Sequence, residues 1–195
     1  MKKQHYFTFL MAAFAISANL HSHGMESQTK KAAQHSPYYG PTEINGKTME
    51  SLVVFGPAKI NNSNITQTAT LKGPVDAEHS TFNILHVDGI AKFHDVKANM
   101  FSINGPVIAN DSKLDEISIA SNELTLSNTA VNRLTVRINN YTPDKQTVYL
   151  EKGSKIGTLI FESKKGVVVM EDSTSKVEHL EGGSIRHNNQ QATNR

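Results

Sequence analysis

Residues 75–90 read VDAEHSTFNILHVDGI, residues 91–106 AKFHDVKANMFSINGP, residues 107–123 VIANDSKLDEISIASNE and residues 124–136 LTLSNTAVNRLTV. Aligned on their first residue, the four segments repeat one apolar template at positions 0, 2, 7, 10 and 12. The first is filled by Val75, Ala77, Phe82, Leu85 and Val87, and the second by Ala91, Phe93, Ala98, Phe101 and Ile103. Val107, Ala109, Leu114, Ile117 and Ile119 follow, then Leu124, Leu126, Val131, Leu134 and Val136. A fixed period this short marks stacked coils, each burying its apolar face against its neighbours.

The residues between the apolar positions set the type of coil. Position 4 is Gly46, Asn62, His79, Asp95, Asp111 and Asn128 in successive coils. Position 8 is Glu50, Thr66, Asn83, Asn99, Asp115 and Asn132, and position 14 is Gly56, Gly89 and Gly105 with Gly73 one residue late. Gly, Asn, Asp and His are the residues that tolerate left-handed backbone angles, so three such positions predict three corners per coil. The period-two alternation of positions 0 and 2, and of 10 and 12, predicts strands between them. The expected fold is all-β: a single-domain parallel β-helix, roughly triangular, of about eight coils of 16–17 residues.

The template extends outward to give a solenoid over 42–185. Ile44, Met49, Leu52 and Val54 belong to its first coil, and Ala58, Ile60 and Ile65 to the second, where the last slots fall on Thr68 and Thr70 with Leu71 one residue late. After Val136 the register breaks. Residues 138–146 read as an inserted loop with Pro143-Asp144 as its turn. Val148, Leu150, Ile156, Leu159 and Phe161 resume the pattern, and Val167, Val169, Val177 and Leu180 read as a last, looser coil.

Flanking segments differ in kind. Lys2 and Lys3 precede an apolar run over residues 6–16 and small residues around 13–18, the build of a secretory signal peptide over 1–18 with cleavage within 15–24. Residues 19–41 read as a polar linker and 186–195 as a disordered tail. The expectation is an exported protein, periplasmic or extracellular, with no membrane span after cleavage, since spanning needs roughly 20 apolar residues.

Composition narrows the function classes. The 195 residues carry 20 Lys and Arg against 18 Asp and Glu, a net charge of +2, which is too balanced for a nucleic-acid partner. There is no Cys, hence no disulfide, thiolate metal site or Cys nucleophile. No phosphate-cradling Gly loop, nucleophile elbow or metalloprotease motif occurs. No cofactor and no catalytic residue is expected.

Two sets of residues are candidates for binding. Glu78, His79, His94, Asp95 and Asp111 fall at positions 3 and 4 of neighbouring coils, where imidazoles and carboxylates at strand spacing suit a sugar or a divalent ion. A corner that needs left-handed residues explains the same composition without a ligand. Phe55, Ile84, Met100 and Ile108 are apolar at outward positions and could form a partner surface.

Gly73-Pro74-Val75 and Gly105-Pro106-Val107 at coil starts, in coils this short, resemble bactofilins over residues 42–185. The resemblance implies a triangular β-helix that polymerises without nucleotide. The chain differs from that family in its signal peptide and its loop at 138–146. The function expected is therefore an exported, non-enzymatic structural or adhesive module, partnered by itself through end-to-end coil stacking or by an envelope component. The alternatives are a protein binding glycan, cell wall or divalent metal, and a small glycan-active enzyme.

Overall fold

The structure, a computed structural model, describes residues 37–138 and 145–188, all within the unit Gln34–Arg195. The proposed signal peptide, the centre of the loop and the last residues of the tail lie outside the described residues. Eighteen strands alternate along the described chain. They are β1 (Tyr38–Tyr39), β2 (Thr42–Asn45), β3 (Thr48–Phe55), β4 (Ala58–Asn61), β5 (Asn64–Lys72) and β6 (Val75–Glu78). Next come β7 (Thr81–Asp88), β8 (Ala91–His94), β9 (Lys97–Asn104), β10 (Val107–Asn110), β11 (Lys113–Ala120) and β12 (Glu123–Ser127). The last six are β13 (Ala130–Val136), β14 (Thr147–Glu151), β15 (Lys155–Phe161), β16 (Gly166–Met170), β17 (Lys176–Glu181) and β18 (Gly183–His187). Odd-numbered strands stack into one nine-stranded parallel sheet and even-numbered strands into another. This is the parallel β-solenoid of about eight coils that the repeat predicts.

Register follows the template. Thr42 pairs with Ala58, Ala58 with Val75, Val75 with Ala91, Ala91 with Val107 and Val107 with Leu124, so each step advances 16 or 17 residues. Every apolar position assigned in the four central coils is buried, and together these side chains form one continuous core.

The three corners are built in three different ways. At position 4, Asn62, His79, Asp95, Asp111 and Asn128 all hold φ between 47° and 52°, joined later by Lys152 at 51°. At position 14, Gly56, Gly73, Gly89 and Gly105 take φ between 137° and 150°. A Cβ on Gly73 would lie 2.6 Å from the Gly56 carbonyl oxygen, and one on Gly89 2.5 Å from that of Gly73, so this column admits only glycine. Position 8 corrects the expectation: among the described residues none there has a positive φ. The long strands instead skip one pair at that point, as where Leu114 pairs with Ala98 and Glu116 with Met100. Inward positions 7 and 10 have opposite strand parity, so the chain must reverse its facing between them. Side-chain amides span the skipped pair: Asn99 donates to Asn83 (2.9 Å) and Asn132 to Asp115 (3.0 Å).

A buried hydroxyl ladder lies behind the position-4 corner. Ser80 Oγ accepts from the Ser63 N–H (3.1 Å), Ser112 Oγ from Val96 (3.1 Å), Thr129 Oγ1 from Ser112 (3.2 Å) and Ser154 Oγ from Thr129 (3.1 Å). Each hydroxyl also donates to a carbonyl of its own corner, as Ser112 does to Asn110 (2.7 Å). The ladder thus satisfies buried amides that the bend removes from the sheets. Val96 is the one apolar rung between Ser80 and Ser112, so no hydroxyl reaches the Ser80 N–H.

Four further expectations need correction. Ala69 and Leu71, not Thr68 and Thr70, take the inward slots of the second coil, because a bulge between Ile65 and Thr68 absorbs the extra residue. In β16 the residues that join the central core are Val168 and Met170, paired with Val148 and Leu150; Val169 is buried outside that core and Val167 is half-buried. Four consecutive apolar residues carry no alternation, and a one-residue slip exchanges the faces. The ladder starts at Tyr38, which pairs with Val54, so residues 38–41 belong to the solenoid and not to the linker. It runs on through His187, with the Asn188 N–H bonded to the Met170 carbonyl (2.9 Å), so 186–188 are not tail. The loop at 138–146 is anchored at its base by buried Gln146, whose amide donates to the Arg137 carbonyl (2.8 Å).

Two predictions test these columns. Gly89→Ala must displace backbone and is expected to lose about 2–4 kcal/mol, whereas Gly46→Asn, at φ 62° with open space around it, stays within about 0.5 kcal/mol; urea unfolding of both variants measures this. Ser112→Ala leaves the Val96 amide unsatisfied and is expected to cost about 1–3 kcal/mol. Val96→Thr supplies the missing acceptor and should not lower stability, although burying an unpaired hydroxyl ordinarily costs about 1–3 kcal/mol.

Candidate functional site

The position-4 corner unites only part of the first candidate set. Strand pairing sets Glu78 beside His94. The His79 and His94 rings meet edge to face at 5.6 Å, and His94 Nδ1 lies 3.5 Å from Asp111 Oδ2. Both members of that pair are about half exposed, at 49% and 48%, so water screens the attraction and it contributes little. Asp111 also accepts from the Asn128 amide at 2.6 Å. Glu78 and Asp95 make no side-chain hydrogen bond or ion pair with the others. Among the described residues no group of three or more His, Asp or Glu side chains is placed to hold a metal ion. The left-handed φ of His79, Asp95 and Asp111 accounts for their presence at this corner.

The apolar candidates divide as well. Ile84 and Met100 are direct cross-strand neighbours, and Met100 is 50% exposed. Next to them in the same column stand Glu116 and Arg133. The surface around these residues is a shallow hollow of about 180 Å³. Phe55 lies in a different column, stacked between Tyr39 (5.3 Å, 13° between planes) and the Lys72 ammonium (5.5 Å from the ring centre). That sandwich gives Phe55 a structural role, since aromatic and cation–π contacts contribute about 0.5–1.5 kcal/mol each. Ile108 pairs with Lys92 and Thr125 and has no apolar cross-strand neighbour. The four residues therefore do not make one surface.

A polar cluster that the repeat does not reveal closes the corner before β17. Asp172 accepts from the Thr174 hydroxyl and N–H (2.5 and 2.7 Å) and from the Ser175 N–H and hydroxyl (2.9 and 2.8 Å). The Thr174 side chain above all holds its carboxyl well below the ordinary aspartate range, overcoming the desolvation that opposes it with the help of Ser175 and the two amides. The spacing Asp172-Ser173-Thr174-Ser175 is the available sequence signal, that of a side chain capping its own turn.

Compared with family models, curated proteins and solved structures, the chain matches none.

A carboxyl with a depressed folded pKa stabilises the fold above its unfolded pKa, and that contribution is lost as pH falls through the folded value. Asp172 is therefore expected to stay ionised below the usual aspartate value of about 3.9, which NMR titration of its carboxyl carbon would read. The stability gap between the native chain and Asp172→Asn should be widest near neutrality and close as pH falls.

Proposed function

We propose that this chain is an exported, non-enzymatic solenoid that joins end to end with copies of itself, as a structural or adhesive element. The observation that supports this most is the match between its two ends. Among the described residues β18 and β17 each pair on one side only, as do β2 and β1, and unpaired strand edges are templates for another chain. A second copy stacked head to tail would place its β2 against β18 and continue the columns of the even-numbered sheet in register. The inward column that starts at Thr42 finishes at Ile185, which is 42% exposed and would be covered by the next copy's Thr42, while Ile44 would lie over His187.

The adjacent outward column adds charge complementarity. It starts Glu43, Lys59, Asp76, Lys92 and ends at Arg186. In a head-to-tail joint Arg186 would face Glu43 and extend the alternation of sign. The resemblance to bactofilins and the apolar run over residues 6–16 support polymerisation and export respectively.

Sedimentation velocity of the full chain over a range of concentrations tests the joint. The expected result is mass-action growth of dimers and longer species, weakened by Arg186→Glu and restored when Glu43→Arg is added. A strictly monomeric chain at every concentration, or a charge swap that restores nothing, overturns the proposal.

A further inference from the structure

A second polar site lies on the odd-numbered sheet between positions 6 and 8, from β7 to β17. There a groove of about 690 Å³ runs along the stacking axis. Position 6 forms one bank, with Lys97, Lys113 and, beyond Ala130, Lys155; position 8 forms the other, with Asn99, Asp115, Asn132 and Glu178. Lys97 and Lys113 are directly opposed cross-strand neighbours. Among the described residues none of the three lysines makes an ion pair or a side-chain hydrogen bond.

Such stacking is unfavourable by itself, because like charges directly opposite one another destabilise a sheet. The column Glu43, Lys59, Asp76, Lys92 shows that this chain elsewhere alternates sign between coils. The lysine bank departs from that pattern, and it does so where a groove opens beside it. The opposite bank mixes asparagines with the carboxylates of Asp115 and Glu178. Asn99 and Asn132 spend their amide N–H groups on Asn83 and Asp115. Their carbonyl oxygens accept no hydrogen bond among the described residues and remain available to hydroxyl donors.

We infer that this groove binds an extended acidic polysaccharide. Its carboxylates would lie along the lysine bank and its hydroxyls would donate to the asparagine carbonyls, with contacts repeating near the strand spacing of about 4.8 Å. A nucleic acid fits less well. No aromatic side chain lines the groove for base stacking.

Isothermal titration of the full chain with a pentagalacturonate oligomer tests this, with maltopentaose, inorganic polyphosphate and oligothymidylate as comparison probes. Pentagalacturonate is expected to bind with an affinity that falls as salt rises, and maltopentaose not to bind. The Lys97→Gln/Lys113→Gln variant should bind at least tenfold more weakly yet melt no lower than the native chain, since it loses a repulsion. Asn99→Ala should weaken pentagalacturonate several-fold and leave polyphosphate unchanged. No heat with pentagalacturonate would overturn the inference. So would equal binding of polyphosphate or oligothymidylate together with indifference to Asn99→Ala, which would describe a general anion surface.

Discussion

The whole molecule depends on one constraint: each coil must hydrogen-bond to the next at strand spacing along its length. A backbone conformation adopted once is then imposed on the whole column, because a residue 16 or 17 positions later must present its amide and carbonyl in the same place. Left-handed angles at Asn62 therefore recur at His79, Asp95 and Asp111 within a few degrees. Close approach at one glycine likewise forces glycine at the next, since each would-be Cβ points at the preceding carbonyl. Where the bend takes amides out of the sheets, the same repetition recruits Ser80, Ser112, Thr129 and Ser154 to one ladder. The corners are thus cooperative features of a column, and a defect at one step is felt by the coils on both sides.

That constraint explains what could be read from residues alone. Inward positions carry a strong apolar signal and repeat in every central coil, so the core, the register and two of the three corners were legible. The third corner is not legible, because Asn83, Asn99 and Asn132 have the composition of left-handed residues but serve as an amide ladder across a skipped pair. The facing of residues 167–170 is not legible either, because an unbroken apolar run has no parity. Candidate sites were less legible than the fold. His79, His94 and Asp111 do approach one another, yet backbone geometry already demands residues of their kind. The lysine bank occupies position 6, which the apolar template leaves unassigned, and becomes visible only when columns rather than segments are compared.

Column logic also locates the one large irregularity. The glycine column at position 14 runs through Gly40, Gly56, Gly73, Gly89 and Gly105, and the next coil has Ser121 instead. One coil later the chain leaves the solenoid for the loop beginning near 138. Without glycine the backbone no longer passes close beneath the neighbouring carbonyl, so the corner is free to accept inserted residues. Other groups then take over the anchoring. The Ser121 hydroxyl bonds the Glu123 backbone, and Arg137 reaches past buried Ala120 to Ser102 and Asn104 (3.5 and 3.4 Å). Gln146 bridges the Ser121 and Arg137 carbonyls at the loop's base (3.3 and 2.8 Å). The ladder re-forms at once, with Thr147 opposite Glu123 and Val148 opposite Leu124. An insertion is tolerated at this corner because its ends are held by side chains in the two adjoining coils, leaving the stacking above and below unchanged.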